Sequence, residues 1–291
     1  MIGLLCSAFS KASVATWNRI QEGHSISYLF GEETLTDLLI RDLLRLRLSG
    51  FKMEAFSKPV EGRNGADWEW WFRGKSGKWL GLRVQAKVID ESCKGFKHLH
   101  HSYVSKTKAV GMALKDVYQC DRLIDMANNE DVKRPRVPLY CLYSYWNSLP
   151  SSASGRIKMW SPYYNDIDFG CSIVAAQHVQ KLRIKTSTGL RLKRSISDTL
   201  PLSYPLSSLV CFPFCIDDDD SITERMLYIL RFIGAVEGDG ERYLVNSPPN
   251  YILRLLNRPI ESRLDRNEQG VDYNIELPND LSGVFAISQL Q

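Results

Sequence analysis

The chain has 291 residues, of which 44% are hydrophobic and 11% aromatic, and it carries a formal net charge of +4. This apolar content supports a sizeable core, so we expect a globular protein of one large domain or two ordinary ones. The mildly basic pI of about 8.6 is compatible with a nucleic-acid partner but does not identify one. No apolar run approaches the ~20 residues of a membrane-spanning helix, so we expect no membrane partner.

The number and spacing of the cysteines indicate the cellular compartment of the protein. The seven cysteines lie at positions 6, 93, 120, 141, 171, 211 and 215, without Cys-x-x-Cys spacing. An odd number without paired spacing favours reduced thiols over a disulfide framework. The start of the chain lacks the cationic leader of a signal peptide. These features together predict a cytoplasmic protein.

The first 50 residues predict two helices. Apolar residues at Phe9, Trp17 and Ile20 have helical spacing, and we expect this first helix to pack on the core. The second helix opens near Glu33 and runs to about Leu48, because leucines recur along it at helical spacing.

Acidic residues open this second helix. Glu33 and Asp37 lie one turn apart and share a face. Acids in a first turn also complement the helix dipole. For Glu32 we weigh that electrostatic explanation and a functional role equally. For Glu33 we favour a functional role, because the hairpin that follows needs an acid beside it.

Residues 65–89 predict a two-stranded β-hairpin. A short strand at 51–56 and a polar loop at 58–65 precede it, and the Gly-Lys-Ser-Gly cluster at 74–77 supplies its turn. Apolar and polar side chains alternate along both arms. The polar sides carry Asp67, Glu69, Trp71 and Arg73 in the first arm, and Trp79, Arg83, Gln85 and Lys87 in the second.

The alternation predicts the register of the hairpin, because residues that face each other across two strands point to the same side of the sheet. Matching the two apolar sides sets Asp67 near Gln85 and Glu69 near Arg83. A four-residue loop would place Asp67 opposite Val84. We therefore expect a loop of three or five residues, or a bulge.

The predicted register brings three complementary side chains onto one polar face: the Asp67 carboxylate, the Gln85 amide and the Lys87 ammonium. Carboxylate and amide oxygens are ligands of a hard cation. A lysine beside them can hold or activate the water that attacks a phosphate. The pattern therefore favours a site for a metal ion and a scissile phosphate.

This hairpin resembles the core of the PD-(D/E)XK nucleases, which share the restriction-endonuclease fold. In that superfamily an Asp opens one strand and (Asp/Glu)-x-Lys lies on the next. Here Ala66-Asp67 and Gln85-Ala86-Lys87 occupy these positions, with Gln in place of the second acid. The Gln-x-Lys form is similar to branches of modification-dependent and defence-associated nucleases. The resemblance covers about residues 31–146.

The resemblance implies a Mg²⁺-dependent nuclease that hydrolyses DNA, with Mn²⁺ as an alternative ion and RNA as an alternative substrate. It also implies a role in defence against foreign DNA. The implied metal ligands are Glu33, Asp67, Gln85 and the Ala86 carbonyl. Lys87 would orient the water and stabilise charge on the phosphate. Because Gln carries no charge, the number of bound ions stays open.

The stretch from 90 to 146 completes the predicted core. A polar loop at 90–101 holds three of the five histidines, residues 110–127 predict a helix, and residues 138–145 predict a central strand. Strand, helix and strand after a hairpin give the fold class: an α/β protein with a mixed α+β sheet flanked by helices. Weaker site candidates on these elements are Asp37, Glu69, Gln119 and Arg122.

The Ser/Pro-rich stretch at 148–155 is the best linker candidate. It predicts a nuclease core at 1–147 and a C-terminal α+β extension at 148–291 that recognises substrate or a partner. A second hairpin in this extension has one face that we expect to be cationic on both arms. The candidate nucleic-acid-binding residues are Lys181, Arg183, Lys185, Arg191 and Lys193. An edge strand that its cations protect from aggregation explains the same charges equally well.

Two other functions are weighed against the nuclease. In the first, Gln85 marks a weakened metal site, and the fold binds nucleic acid or a protein without hydrolysis. In the second, Trp71 and Trp79 form an exposed pair that stacks on bases or binds a protein partner. Self-association of the chain and a regulatory protein partner are compatible with each function.

Overall fold

The structure is a computed structural model that describes residues 2–57, 67–104, 116–129, 131, 133–149, 164–211, 221–257 and 275–290. Its helices are α1 (Ile2–Ser25), α2 (Glu32–Arg45), α3 (Gln119–Asn129), α4 (Ala176–Lys181), α5 (Ile196–Thr199), α6 (Ser208–Cys211), α7 (Ile222–Phe232) and α8 (Asn250–Leu256). Short 3-10 turns span Asp166–Gly170, Leu200–Leu202 and Glu241–Tyr243. Within these described ranges, no helix is long and apolar enough to cross a membrane.

The strands are β1 (Phe51–Ser57), β2 (Asp67–Arg73), β3 (Trp79–Val88), β4 (Ser102–Val104), β5 (Asp116–Tyr118), β6 (Arg136–Tyr143), β7 (Cys171–Ala175), β8 (Arg183–Thr186), β9 (Gly189–Leu192), β10 (Tyr204–Pro205), β11 (Leu244–Val245) and β12 (Leu281–Gln289). Eight of them form one mixed sheet in the order β1-β12-β2-β3-β6-β7-β10, with β11 pairing β3. Strand β3 runs antiparallel to β2 and parallel to β6. The expectation of an α/β protein with a mixed sheet flanked by helices is confirmed.

The sheet does not divide at residue 147. Strands β7, β10, β11 and β12 all follow that position, and β12 lies between β1 and β2. Every residue of β12 is buried, because paired strands flank it on both edges. The predicted extension at 148–291 is therefore corrected: it supplies strands to the same sheet as the predicted core.

The register of the β2–β3 hairpin is confirmed. Glu69 pairs with Arg83, and Arg73 pairs with Trp79. The loop between these strands has five residues, 74–78, one of the two lengths expected. Gly77 has a φ of 78° in this loop, a left-handed conformation that glycine adopts without a steric penalty.

Apolar side chains cover both faces of this hairpin. Trp70 and Phe72 join the core that includes residues of α1 and α2. Trp71 and Trp79 point to the opposite face, where they pack with residues of α8 and β12. They are 0% and 5% exposed, so the expectation of an exposed tryptophan pair is wrong. The alternation was correct, but a second layer built from the C-terminal residues covers that face.

Two further expectations are corrected. The predicted helix at 110–127 begins only at Gln119 in the described residues, since residues 116–118 form β5, and residues 110–115 lie outside those described. Cys6 and Cys211 form a disulfide bond between α1 and α6, with a Cα–Cα distance of 5.0 Å. They were expected to be reduced thiols. The 205 residues between them give no local spacing from which this pairing could be predicted.

A buried network of charged groups lies beneath the second layer. Glu69 is fully buried, and its Oε1 is 3.7 Å from Arg83 Nη1 and 2.9 Å from Arg136 Nε. Its Oε2 accepts hydrogen bonds from Trp71 Nε1 at 2.9 Å and from the Tyr251 hydroxyl at 2.6 Å. Burial and the Glu69 charge raise the pKa of Tyr251 far above its usual range, so the phenol stays a donor.

This network joins the C-terminal residues to the centre of the sheet. Tyr251 belongs to α8, and Asp280, which precedes β12, forms an ion pair with Arg83. Two carboxylates therefore face two guanidinium groups in a region nearly closed to water. The environment of Glu69 therefore indicates a structural role, because its fully buried side chain cannot contact a substrate.

We predict that Glu69→Ala lowers the free energy of unfolding by about 3–5 kcal/mol, because two buried cations lose their shared partner. Arg134→Ala is the control, since Arg134 pairs with Asp131 at the surface with 33% and 29% of the side chains exposed. Its expected cost is below about 1 kcal/mol. Urea denaturation of both variants measures the difference. Equal, small losses would contradict a structural role for the buried network.

Candidate functional site

The candidate site lies at the C-terminal end of β3. There Gln85 pairs with Tyr140 of β6, and Lys87 pairs with Leu142. Because side chains alternate along a strand, Gln85 and Lys87 point to one side of the sheet. Gln85 and Lys87 are each only 4% exposed. A buried amide and a buried ammonium need polar partners, and these partners define the site.

Lys87 finds its partner on α2. Its Nζ lies 3.3 Å from Oε2 of Glu32, whose side chain is 28% exposed. Glu33, the predicted acid, is exposed instead. Its role as a metal ligand stays a prediction. Helix phase explains the difference between the two acids: Glu32 is three, seven and eleven residues before the buried Leu35, Leu39 and Leu43, so it lies on the stripe that faces the sheet. That spacing was the signal in the sequence for Glu32.

A second contact holds α2 in place beside Lys87. Thr36 Oγ1 and the Tyr143 hydroxyl of β6 lie 2.7 Å apart, and Thr36 also donates to the Glu32 carbonyl at 2.8 Å. Burial, together with the nearby Cys141 and Cys171 thiols, raises the pKa of Tyr143 well above its usual range. The phenol therefore remains protonated and able to hold the first turn of α2.

Gln85 is held by two hydrogen bonds. Its Nε2 donates to the Ala86 carbonyl at 3.2 Å, and its Oε1 accepts from Gln119 Nε2. Gln119, a weaker candidate from the sequence, is the first residue of α3 and is 8% exposed. Its own Oε1 is buried without a hydrogen-bond partner among the described residues. The residue that contacts Gln85 therefore carries a buried acceptor oxygen with no hydrogen bond among the described residues.

Asp67 is the first residue of β2. Trp68 pairs with Val84, so continuing this register by one residue sets the Asp67 backbone opposite Gln85. The Asp67 side chain lies outside the described part of the structure. Its predicted role as a metal ligand therefore stays a prediction.

The donor atoms at this end of β3 fit a hard divalent cation. The Glu32 carboxylate, the Gln85 amide and the Ala86 carbonyl offer oxygens, as does the unsatisfied Gln119 Oε1, and Mg²⁺ binds oxygen ligands. Within the described residues, no three His, Cys, Asp or Glu side chains group as a metal site. The site implied by the sequence would therefore combine Asp67 with amide and carbonyl oxygens.

The remaining weaker candidates lie apart from this cluster. Arg122 is exposed, and its Nε donates to Met126 Sδ at 3.3 Å. Asp37 is half-buried on α2 and has interactions of its own. The Arg122 contact does not involve Lys87 or Glu32.

The second hairpin is present, but its charges are arranged differently from the prediction. Arg183 pairs with Leu192, Ile184 with Arg191, and Lys185 with Leu190. Paired residues share a face, so Arg183 and Lys185 lie on the face opposite to Arg191. The expectation of one face that is cationic on both arms is therefore wrong, because the register mixes cations with leucines.

The hairpin cations also differ in their availability. Arg183 forms an ion pair with Asp121 and lies over the Tyr118 ring at 4.3 Å. Lys193 is 3.8 Å from Asp198. The exposed cations of the predicted set are Lys181, which ends α4, and Lys185 and Arg191 on the hairpin. These three could still contact phosphates, which stays a prediction.

One histidine of the loop at 90–101 is buried. His100 is 8% exposed, and its Nε2 donates to the Lys193 carbonyl at 2.7 Å. Burial lowers the pKa of His100 below its ordinary 6.5, and the Arg183 and Arg194 charges lower it further, against the opposing effect of the Lys193 hydrogen bond. His98 and His101 are exposed. His100 thus ties the loop to the residue that follows β9.

We predict that His100 makes stability depend on pH. Since its pKa is lowered on folding, the unfolded chain binds the proton more readily, and stability falls as the pH drops below about 6.5. His100→Gln keeps a donor for the Lys193 carbonyl but cannot titrate. Its unfolding free energy should decline less between pH 8 and pH 5 than that of the wild type. Denaturant unfolding at each pH measures this, with His98→Gln as the exposed control; parallel curves for wild type and His100→Gln would refute the effect.

Comparison with known proteins gives one match. A family model described as a family of unknown function (DUF6615) matches residues 5–287. No curated protein and no solved structure matches the chain. The matched range runs across residue 147 without a break, as the sheet does. Because the match covers nearly the whole chain, the chain belongs to the DUF6615 family.

Proposed function

We propose that the chain is a metal-dependent nuclease that hydrolyses DNA phosphodiester bonds. The observation that carries the proposal is the buried Lys87 ammonium, 3.3 Å from Glu32 and two residues beyond the hydrogen-bonded Gln85. Taking a lysine out of water is costly. A lysine kept there at the open end of a central strand, with oxygen donors around it, suits the chemistry of a phosphate ester.

Each residue has a distinct role in this proposal. Bound Mg²⁺ or Mn²⁺ would supply Lewis-acid chemistry, held by Asp67, Glu32 and the oxygens of Gln85 and Ala86. Lys87 would donate hydrogen bonds to the attacking water and to the phosphate oxygen on which charge develops. Glu32 would fix the ammonium in place, and Gln119 would orient the Gln85 amide.

The resemblance to defence-associated nucleases extends the proposal to foreign DNA as the target. Such an enzyme would need a controlling partner or signal, because uncontrolled cleavage damages the host. The exposed Lys181, Lys185 and Arg191 would contact the DNA backbone.

A second candidate is a module that binds nucleic acid without cutting it. The observation that favours it is the Gln85 amide, whose oxygen and nitrogen are both already hydrogen-bonded within the protein. An amide also brings no negative charge to attract a cation. In this alternative the Lys87–Glu32 pair is a structural ion pair.

Cleavage of plasmid and linear DNA with Mg²⁺ or Mn²⁺ tests the proposal. We expect metal-dependent cutting by the wild type, and a loss of roughly 10²–10³-fold in Lys87→Ala, because one donor to the developing charge is removed. Glu32→Gln should also lose activity, because it removes the carboxylate that pairs with Lys87. Glu33→Gln is the matched control, since it changes the adjacent, exposed acid and should retain most of the activity.

The outcomes separate the two candidates. Wild-type cutting that persists in Lys87→Ala would refute the assigned site. If no variant cuts, yet wild type and Lys87→Ala bind DNA equally, the binding module is the better account. Circular dichroism of each variant shows whether a loss reflects the site or the fold.

A further inference from the structure

A cavity of about 410 Å³ opens beside the candidate site. Its apolar wall comes from Ile20 of α1, Leu29 and Phe30 of the loop after α1, and Val88 and Ile89 at the end of β3. Part of the wall is rigid, since Ile20 and Ile89 are each 3% exposed and belong to the core. A preformed apolar cavity of this size suits a flat, ring-shaped ligand.

Lys87 and Glu32 do not line the cavity, but two of its lining residues are their near neighbours in the sequence. Val88 directly follows Lys87 on β3, and Phe30 lies two residues before Glu32. Strands rise about 3.3 Å per residue, so Ile89 is within about 7 Å of Lys87 along the strand. The sugar and base of one nucleotide can span such a distance. A nucleotide whose phosphate lay at Lys87 would therefore be long enough to bring its base to the cavity.

An exposed apolar segment borders the cavity. Ile26 and Tyr28 are 65% and 66% exposed, the highest values among the large apolar residues described, and Leu29 is 40% exposed. The Tyr28 ring packs edge-on against Phe30, with centroids 5.8 Å apart. Exposed aromatic rings beside a strand path are stacking surfaces for bases.

The rim of the cavity carries charges of both signs. Glu91, Lys97 and His98 all line it and are exposed. The neighbouring Asp90 is used internally, because its Oδ1 accepts from the Ser92 and Lys94 amides and from the Ser92 hydroxyl. An exposed carboxylate beside two donors disfavours a phosphate. It matches the edge of a nucleobase, which presents donors and acceptors together.

The cavity also continues into a groove. A second cavity of about 650 Å³ shares His24, Glu91 and Ser92 with the first, and Tyr145 and Trp146 line its far side. Because the two cavities adjoin, a ligand longer than one ring has space to extend from the first into the second.

From these features we propose that the cavity receives an unpaired nucleobase of the DNA strand whose phosphate lies at Lys87. This inference rests on the proposed function and names its substrate class: DNA with an unpaired or extruded nucleotide. Tyr28 stacks on the base or its neighbour, and Glu91, Lys97 and His98 hydrogen-bond its edge. Fully paired DNA binds less well, because its base must first leave the stack.

Binding of three labelled duplexes tests the inference. They are identical except that one is fully paired, one has a single bulged nucleotide, and one has an abasic residue at the bulge. The bulge determines which nucleotide is offered to the cavity. Fluorescence anisotropy is measured with the full wild-type chain in EDTA, which prevents metal-dependent cleavage and keeps Lys87 in place. We expect the bulged base to be bound about tenfold more tightly than the abasic bulge, as for a stacked base.

Substitutions assign this preference to the cavity. Tyr28→Ala, and separately Lys97→Ala with His98→Ala, should reduce the preference for the bulged base to near unity. Tyr228→Ala is the matched control, since Tyr228 is 48% exposed on the distant helix α7, and it should keep the preference. A free deoxynucleotide monophosphate should compete only weakly, since it lacks the strand.

Several results would overturn the inference. These are equal affinity for the bulged base and the abasic bulge, no binding of either, a preference that survives the cavity variants, or free nucleotide that binds as tightly as the bulged duplex. Because the measurement needs no cleavage, its failure is distinct from that of the nuclease proposal. A chain that cuts DNA yet ignores the bulged base keeps the first proposal and loses this one.

Discussion

Strand β3 imposes the constraint on which the rest of the structure depends. It lies inside the sheet, and one of its sides carries Arg83, Gln85 and Lys87 into buried surroundings. Each of these groups must find a polar partner or destabilise the fold. Arg83 finds Glu69 and Asp280, Gln85 finds Gln119, and Lys87 finds Glu32. Among these described partners the Glu69 side chain is fully buried, that of Asp280 is 15% exposed, and that of Glu32 is 28% exposed, so the partner of Lys87 is the most accessible to solvent.

The C-terminal residues enclose the Arg83 end of this row. Helix α8 and strand β12 cover the tryptophans of the hairpin, and Tyr251 and Asp280 extend the charged network to them. Of the three members of the row, Arg83 contacts this C-terminal segment, whereas Gln85 contacts α3 and Lys87 contacts α2. The same segment also removes an edge from the sheet, since β12 fills the gap between β1 and β2. The late segment of the chain therefore stabilises the sheet and encloses one end of the polar row.

The sequence predicted the parts of this arrangement that depend on neighbouring residues. Alternation in two adjacent arms was enough for the pairing of Glu69 with Arg83, and it left three options for the connection, of which the structure has the five-residue loop. The insertion of β12 was beyond such reasoning, because parallel pairing across more than 200 residues leaves no local pattern. Glu33 was preferred to Glu32 because the hairpin needs an acid beside it, although the spacing of the buried leucines places Glu32 on the face of α2 toward the sheet. The prediction of one cationic face on the second hairpin was wrong because it considered each strand separately. The pairing register decides which residues share a face, and it pairs Arg183 and Lys185 with leucines.

The central claim is that oxygen donors at the end of β3 hold a divalent cation beside Lys87. Calorimetric titration of the full chain with Mn²⁺ tests it without requiring activity. The account predicts saturable binding that Asp67→Asn abolishes and that Glu32→Gln weakens by roughly tenfold or more, while Glu33→Gln leaves it nearly unchanged. Binding that is absent, or that is insensitive to Asp67→Asn and Glu32→Gln, would contradict it.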